Sequence, residues 1–294
     1  MAHIPVLLHE VIEGLNLKSG DVVVDGTLGE GGHAKAIAEI IGPTGHLIGL
    51  DADGRALARA TKNLAECEVK FTPIIGNFRH IETLVTVGKV QGILLDLGVN
   101  SGQLDDDDRG FSFRADTPLV MTLSDKPEES LITAYDVVNT WGEENLADVI
   151  YGYGEERFSR QIAEAIVEAR QKGPIKTTFQ LVDIIKGSVP KWYQKGRLHP
   201  ATKTFQAIRI AVNDELEALK DGLAGSFKLL DQGGRLVVIS FHSLEARIVK
   251  EFFKELYHQG VGKLVTKKAI KPTRDEQLNN PRSRSAQLRI IQKI

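Results

Sequence analysis

The sequence predicts an α/β fold in which a parallel sheet is interrupted by an inserted all-helical domain. Over the first hundred residues, short apolar runs the length of a buried strand alternate with helical segments, and the same alternation returns after about residue 200. Between these two parts the only clear periodicity is helical. The expected organisation is therefore a core made of residues 1–102 and 199–294, with residues 103–198 inserted as a second domain.

Seven strands are predicted, the last two as an antiparallel pair at the C-terminus. They cover residues 21–25, 46–51, 69–75, 92–96, 233–240, 263–270 and 286–291. The helices are expected at residues 34–41, 54–66, 201–230 and 244–256 of the core and, most clearly, at 155–170 of the insertion. Strands that alternate with helices of this length are joined by right-handed crossovers, so the first strands should be parallel.

The composition is that of a globular protein with a core of its own. Hydrophobic residues make up 42% and charged residues 26% of the 294 residues. No apolar run approaches the roughly 18 residues of a transmembrane helix, the N-terminus does not resemble a secretory signal, and Cys67 is the only cysteine. We therefore expect a cytoplasmic protein without a membrane segment or a disulfide bond. The histidines lack metal-ligand spacing, so no metal is expected either.

The charges are nearly balanced overall but unevenly distributed. Lysine and arginine number 37 against 39 acids. Residues 263–293 carry nine basic residues and two acids, and residues 186–203 carry five basic residues and no acid. Such stretches indicate an anionic partner, although solvated lysines on loops are an equally good explanation from charge alone.

A glycine-rich stretch, DGTLGEGGH at residues 25–33, lies between the first strand and the first helix of the sheet. Glycines at that position let a ligand approach the backbone, as in Rossmann-like folds, although a tight turn without a ligand is the alternative. The stretch carries Asp25 and Glu30, which disfavour a pyrophosphate and favour the sulfonium and ammonium groups of S-adenosylmethionine.

Two further acids end neighbouring strands of the predicted sheet. Asp51 ends the second strand, where it would accept hydrogen bonds from ribose hydroxyls or, alternatively, cap the next helix. Asp96 ends the fourth strand, so it is expected at the same carboxyl end of the sheet as Asp51. Together with the glycine-rich stretch, these acids predict a Rossmann-like, class I S-adenosylmethionine-dependent methyltransferase sheet.

Longer motifs resemble the bacterial ribosomal RNA small subunit methyltransferase H family. The matching stretches are DGTLGEGGH (25–33), LDLGVNS (95–101), QLD (103–105), RGFSF (109–113), YGEER (153–157), HPATKTFQA (199–207), ISFHSLE (239–245) and NPRSRS (280–285). The resemblance runs from about Pro5 to Arg289. It implies methyl transfer from S-adenosylmethionine to the exocyclic N4 of a cytidine in the decoding centre of 16S rRNA.

The resemblance also implies which residues bind the cofactor, namely Gly31, Gly32, His33, Asp51, Phe78, Asp96 and Gln103. Phe78 would lie beside the adenine, although an aromatic residue there is also typical of a core. Residues 117–124 depart from the family pattern, because they lack the two acids and the arginine that the family carries, and Ala246 stands where an aspartate is common.

Catalysis at an exocyclic amine needs hydrogen-bond acceptors and alignment, because the lone pair of the amine is delocalised into the cytosine ring. The end of the fourth strand supplies Asp96 and, within LGVN at residues 97–100, Asn100. Methylation at C5 would instead use a cysteine thiolate, and Cys67 lies away from that strand end.

The substrate side would use the inserted domain as a wall for a base that leaves its stack. The candidate substrate-binding residues are Arg109, Trp192, Lys203, His242, Arg282 and Arg284. For Trp192 a place in the core, and for Arg282 and Arg284 simple solvation, are the alternatives. The expected partner is 16S rRNA in the small ribosomal subunit, and the oligomeric state stays open, a homodimer included.

Two other functions remain open from the sequence. A nicotinamide-dependent oxidoreductase would use the same glycine-rich stretch. A non-catalytic protein that binds RNA or the ribosome would retain the fold, in keeping with the altered loop at residues 120–124. Binding of S-adenosylmethionine against NAD, and methyl transfer to RNA, would separate the three.

Overall fold

The computed structural model describes residues 4–99, 102–103, 109–127 and 130–294. The strands are Val22–Asp25 (β1), His46–Asp51 (β2), Lys70–Ile75 (β3), Val90–Asp96 (β4), Leu230–Ser240 (β5), Gly262–Leu264 (β6) and Gln287–Lys293 (β7). The α-helices are Leu8–Leu15, Gly32–Ile41, Gly54–Asn63, Ile81–Leu84, Ala134–Thr140, Glu143–Gly154, Ser159–Lys172, Thr178–Ser188, Lys191–Gln194, Thr202–Asn213, Glu215–Leu229, Ser243–His258 and Arg274–Asn279. Short 3₁₀ helices cover Phe78–His80 and Pro281–Ser285.

The seven strands form one sheet in the order β3-β2-β1-β4-β5-β7-β6. Strands β1 to β5 are parallel, and β7 is antiparallel to both of its neighbours. The α/β class and the antiparallel C-terminal pair are therefore confirmed. Because the chain runs outward from β1 to β3 on one side and from β4 to β5 on the other, the order reverses between β1 and β4. The carboxyl ends of strands at such a reversal form the crevice in which ligands bind in open α/β sheets.

The central strands are buried on both faces, which is why they read as unbroken apolar runs. Neighbouring residues of one strand belong to two different hydrophobic clusters. Val24 of β1 and Leu95 of β4 belong to one cluster, and Val23 of β1 and Leu94 of β4 belong to the other. All four are fully buried. None of the described helices combines the length and apolar character needed to cross a membrane.

The structure corrects three predicted boundaries. The helix expected at 201–230 is two helices, because Asp214 between them adopts a left-handed conformation with φ 48°. Glu155 does the same with φ 49° and ends the helix Glu143–Gly154, so the next helix begins at Ser159 rather than at 155. Strand β6 is shorter than the predicted 263–270, with Ile270 making only an isolated bridge to Leu288.

The chain divides into two compact units, one of residues 1–101 and 216–294 and one of residues 102–215. The second unit thus extends beyond the predicted boundary at residue 198. The reason is that the helix Thr202–Asn213 bonds to earlier parts of that unit, since Gln206 donates to Tyr153 O (3.1 Å) and Asn213 donates to Met121 O (2.7 Å). The described part of this unit contains helices and a single isolated bridge.

Candidate active site

The turn after β1 is bonded to both strands that flank β1. Gly26 N donates to Leu94 O (2.9 Å), and Leu28 N donates to Leu50 O (2.8 Å). The hydroxyl oxygen of Thr27 accepts from Asp96 N (2.6 Å). The turn therefore has a fixed shape, and it leads into the N-terminus of the helix Gly32–Ile41 at the reversal of strand order.

Gly31 needs to be glycine for two reasons. Its φ of +82° is in the left-handed region, and a Cβ there would lie 3.3 Å from Ala60 Cβ. The helix that follows leaves its first backbone N–H groups without intrahelical partners. The glycine-rich stretch thus leads directly into a helix N-terminus, and the approach of a ligand to its backbone stays a prediction.

Asp51 lies at the end of β2 and binds the same turn. Its Oδ2 accepts from Gly29 N (2.7 Å) and its Oδ1 from Asp53 N (2.8 Å). The helix Gly54–Asn63 is capped by Asp53 instead, whose Oδ1 accepts from Arg55 N (2.9 Å) and Ala56 N (3.3 Å). The capping alternative for Asp51 is therefore wrong. Both carboxylate oxygens of Asp51 thus bond to backbone amides, one of them in the glycine-rich stretch, and the role of Asp51 at the ribose stays a prediction.

Asp96 and His33 face each other across the β1–β4 reversal. His33 Nε2 lies 3.6 Å from Asp96 Oδ2, which is too long for a hydrogen bond, and the side chains are 7% and 23% exposed. Within the described ranges, neither ring nitrogen of His33 nor Asp96 Oδ1 has a hydrogen-bond partner. Buried polar atoms are normally paired, so this arrangement fits a polar ligand that bonds to both side chains.

Asp25 lies fully buried beneath this pair, and its Oδ1 accepts from Thr27 N (3.1 Å). Burial raises the pKa of Asp25 to about 7, against the opposing effects of His33 and the Thr27 N–H, while Asp96 and Asp51 raise it further. Three carboxyl groups thus gather at the carboxyl ends of neighbouring strands, and because Asp25 is about half protonated at neutral pH, Asp51 and Asp96 are the ones that would attract a cationic ligand.

The role expected for Glu30 in attracting a cation is not supported. Its carboxylate lies 3.3 Å from the Nε atom of Arg59, so its charge already has a partner. The attraction of a cation is therefore expected from Asp51 and Asp96, at the carboxyl ends of β2 and β4.

We expect the stability of the ligand-free protein to depend on pH through Asp25. With a pKa of about 7 in the folded state and 3.8 as the ordinary value, the folded state holds about one more proton between roughly pH 4 and 7. The unfolding free energy should therefore fall as pH rises through that window, by at most about 1.4 kcal/mol per pH unit, and level off above it. Urea unfolding of the wild type and Asp25→Asn at several pH values measures this, and parallel profiles would contradict it.

Phe78 begins the 3₁₀ helix that follows β3, and it has contacts on the core side. A Cβ on Gly222 would lie 2.3 Å from Phe78 Cδ2, so the ring lies against that glycine of the helix Glu215–Leu229. Phe78 is only partly buried and packs at the border of the hydrophobic core. The core contact is thus present, and because part of the ring stays accessible, the contact with the adenine stays a prediction.

The backbone beyond Asp96 continues alongside β5 for one residue, where Leu97 N donates to Ile239 O (3.0 Å). It then turns at Gly98, which is exposed and has φ +102°. Asn100, the second predicted catalytic residue, lies outside the described residues, and so do residues 104–108 of the QLD motif region.

His242 follows the end of β5 and caps the helix Ser243–His258. Its Nδ1 accepts from Glu245 N (3.4 Å), while Glu245 Oε2 accepts from the amides of Phe241 (2.8 Å) and His242 (3.2 Å). The His242 side chain is 11% exposed, with Nε2 3.1 Å from Glu245 Oε1. This capping box is a structural use that the sequence analysis did not foresee, although a histidine three residues before a glutamate at a strand end was a signal for it.

In the second unit, Arg109 is 4% exposed and donates to the backbone carbonyls of Thr122 (2.6 Å), Leu123 (2.6 Å) and Ser124 (2.9 Å). Gln103 donates from Nε2 to Leu123 O (3.3 Å). The guanidinium thus binds the backbone of residues 122–124, within the atypical stretch, and a substrate contact through Arg109 stays a prediction. The role predicted for Gln103 is untested.

Lys203 also has a partner within the second unit. Its ammonium donates to Glu155 O (2.7 Å), at the C-terminal end of the helix Glu143–Gly154, where a positive charge is favourable. A substrate contact through this nitrogen stays a prediction.

Trp192 is 60% exposed, so its alternative place in the core is wrong. Its ring packs edge to face against Phe158 and Tyr193 of the second unit.

In the first unit, Arg282 and Arg284 are exposed on the 3₁₀ helix Pro281–Ser285.

Comparison with known proteins places the chain among methylases. The model of the MraW methylase family matches residues 1–294. The ribosomal RNA small subunit methyltransferase H of Geobacter sp. strain M21 is 49% identical over 99% of this chain and 98% of its own, and that of Brevibacillus brevis is 42% identical over the same shares. The crystal structure of a proposed rRNA-methylase from Clostridium thermocellum has a TM-score of 0.50 at 14% identity and covers 99% of this chain and 100% of its own, which shows likeness of fold alone.

Proposed function

Because the chain belongs to the MraW methylase family, we propose that it methylates the exocyclic N4 of a cytidine in the decoding centre of 16S rRNA. It is an S-adenosylmethionine-dependent methyltransferase, and its relatives are named for the RNA of the small ribosomal subunit. The observation that carries the proposal is Asp96, a strand-end carboxylate at the reversal of strand order with one buried oxygen that has no partner in the described part of the chain.

The cofactor fits the first unit on the evidence of its unpaired polar atoms. Gly31 and Gly32 would bring backbone amides close to it, Asp51 would accept from its ribose, and Phe78 would contact its adenine. His33 and Asp96 would bond to its polar groups, and the negative charge of the edge would favour its cationic end. When bound, S-adenosylmethionine supplies an electrophilic methyl group.

Asp96 is the residue that would prepare the amine. A carboxylate that accepts an N–H of the cytosine amino group favours the geometry in which the nitrogen lone pair turns out of conjugation with the ring. The same bond fixes the position of the nitrogen relative to the methyl donor, which supplies alignment. Asn100 and the backbone carbonyls that follow β4 would provide further acceptors.

The position of Cys67 favours N4 over C5 as the methylated atom. C5 methylation requires a thiolate that adds to the ring, and the chain has a single cysteine. Cys67 precedes β3 and bonds through its amide to Leu64 O (3.0 Å), whereas Asp51 and Asp96 lie at the ends of their strands. Because β2, β3 and β4 are parallel, Cys67 lies toward the opposite edge of the sheet.

Incubation with small-subunit particles from cells that lack this activity, followed by nucleoside mass spectrometry, tests the proposal. We expect N4-methylcytidine, at equal yield from the wild type and Cys67→Ser. Recovery of 5-methylcytidine, or loss of activity in a folded Cys67→Ser variant, would overturn the assignment. Absence of any methylated cytidine would favour the non-catalytic RNA-binding alternative. Family membership argues against the nicotinamide-dependent oxidoreductase.

We expect the double variant Arg282→Gln, Arg284→Gln to bind RNA less tightly. Both arginines are exposed in a stretch rich in basic residues, which suits phosphate contacts. Losing two such contacts should flatten the plot of log affinity against log salt by up to about two units. Titrations of a 16S rRNA fragment at several salt concentrations measure the slope, and binding of S-adenosylmethionine serves as the control that should not change. An unchanged slope would remove the two arginines from the RNA interface.

A further inference from the structure

Four side chains of the second unit form a cluster that we call the aromatic platform: Arg157, Phe158, Trp192 and Tyr193. The Arg157 guanidinium carbon lies 4.8 Å from the ring centroid of Phe158, 4.6 Å from that of Trp192 and 5.4 Å from that of Tyr193. The three rings also meet one another edge to face, with centroids 4.9 to 6.1 Å apart. One cation is thus held among three aromatic rings, each contact being favourable by itself.

The platform is fixed from beneath by Glu156, which is fully buried. Its Oε1 accepts from Phe158 N (2.9 Å), and its Oε2 accepts from the Tyr193 hydroxyl. Burial and the bond to Glu156 raise the pKa of Tyr193 to about 12, so the hydroxyl keeps its proton at neutral pH. The next residue, Gln194, donates to Lys186 O (2.8 Å) and ties the short helix Lys191–Gln194 to its surroundings.

Trp192 is nevertheless 60% exposed. The indole is thus held in place by its neighbours on one side while a large part of the ring stays accessible to a partner. The exposed side chains of the same segment include the basic Lys191, Lys195 and Arg197 beside Gln194 and Leu198, and residues 186–203 contain no acid. The ring is therefore presented within a local positive charge.

We infer that the aromatic platform binds single-stranded RNA, with an unpaired base stacked on Trp192 and neighbouring phosphates near Lys191, Lys195 and Arg197. Bases stack on exposed aromatic rings whatever their identity, and a basic groove beside such a ring follows the backbone. An acidic peptide would complement the positive charge but would offer no base to stack on the exposed indole. That the RNA is ribosomal rests on the proposed function, whereas the stacking itself does not.

The chain has two tryptophans, which makes a direct spectroscopic test available. In Trp141→Phe, fluorescence reports on Trp192 alone, and in Trp192→Phe it reports on Trp141 alone. We expect a short single-stranded oligouridylate to quench the emission of Trp192 and to leave that of Trp141 unchanged. An equally long abasic sugar-phosphate oligomer should bind more weakly and quench little.

Affinity of the oligouridylate should fall by about 5- to 150-fold in Trp192→Ala, the range expected when one stacked base loses its ring, and less in Trp192→Phe, which keeps a smaller one. Tyr151→Ala is the matched control, since Tyr151 is an aromatic residue of the same unit that is 66% exposed and outside the platform. The Tyr151→Ala variant should bind the oligouridylate as tightly as the wild type does.

Equal quenching by the abasic oligomer or by polyglutamate would overturn the inference in favour of a simple anion surface. If oligouridylate does not quench Trp192 in an enzyme that methylates small-subunit particles, RNA binding by the aromatic platform is overturned and the proposed function stands. Quenching by oligouridylate without any methylation would overturn the proposed function and leave RNA binding by the aromatic platform standing.

Discussion

The Asp96→Ala variant is expected to lose about 100- to 1,000-fold in the rate of methyl transfer, the usual effect of removing one positioned polar group from a reaction centre. The reason is that Asp96 has a buried oxygen without a partner in the part of the chain that the structure describes, and lies 3.6 Å from His33 at the reversal of strand order. Single-turnover transfer to small-subunit particles at saturating cofactor measures the chemical step without the contribution of binding.

Asp96→Asn is the control for that measurement. Its amide keeps one acceptor oxygen in nearly the same place and removes the charge, so we expect a rate between those of the wild type and the alanine variant. Affinity for RNA should be largely kept in both variants. A folded Asp96→Ala protein that transfers methyl groups at the wild-type rate would show that the amine is oriented by other acceptors.

The second large effect concerns the cofactor. Asp51→Ala should weaken binding of S-adenosylmethionine by roughly 1.5–3 kcal/mol, the contribution of hydrogen bonds to a charged group. Part of this loss is indirect, because Asp51 Oδ2 accepts from Gly29 N and so helps to shape the turn that approaches the cofactor. Calorimetric titration gives the dissociation constant directly.

Asp53→Ala separates ligand binding from stability in that experiment. Asp53 lies two residues away and caps the helix Gly54–Asn63, so its loss should lower the unfolding free energy by about 0.5–2 kcal/mol and leave the dissociation constant near that of the wild type. If the two variants weakened cofactor binding equally, Asp51 would have no special role at the ribose.

The sheet was predictable because each central strand is buried on both faces, so its residues appear as an uninterrupted apolar run. The acids at the strand ends were predictable for a related reason, since parallel strands bring their carboxyl ends to one edge. Asp51 and Asp96 lie where this logic placed them, at the ends of β2 and β4.

What the sequence did not reveal depends on contacts between distant residues. The pair Asn213-Asp214 is only a weak signal for the left-handed residue that divides the predicted helix, because Asn and Asp favour that conformation but also occur inside exposed helices. Pairing of Glu30 with Arg59 and burial of Arg109 under three carbonyls are likewise set by chain segments that meet only after folding. For Glu30 and Arg109, charge and residue type indicated ligand binding, and the folded chain gives both side chains partners of their own.

The order of the strands has a consequence for how the protein emerges during synthesis. Strands β4 and β5 are neighbours in the sheet, yet the residues of the second unit are made between them. Strand β7 then enters between β5 and β6, although both precede it in the chain. In a nascent chain, one edge of β4 therefore stays unpaired until β5 has been translated, and one edge of β5 stays unpaired until β7 has been translated. Unpaired strand edges can pair with strands of other chains. Slow translation after β5 should expose the chain to aggregation, whereas early folding of the insertion would bring β5 to β4 sooner.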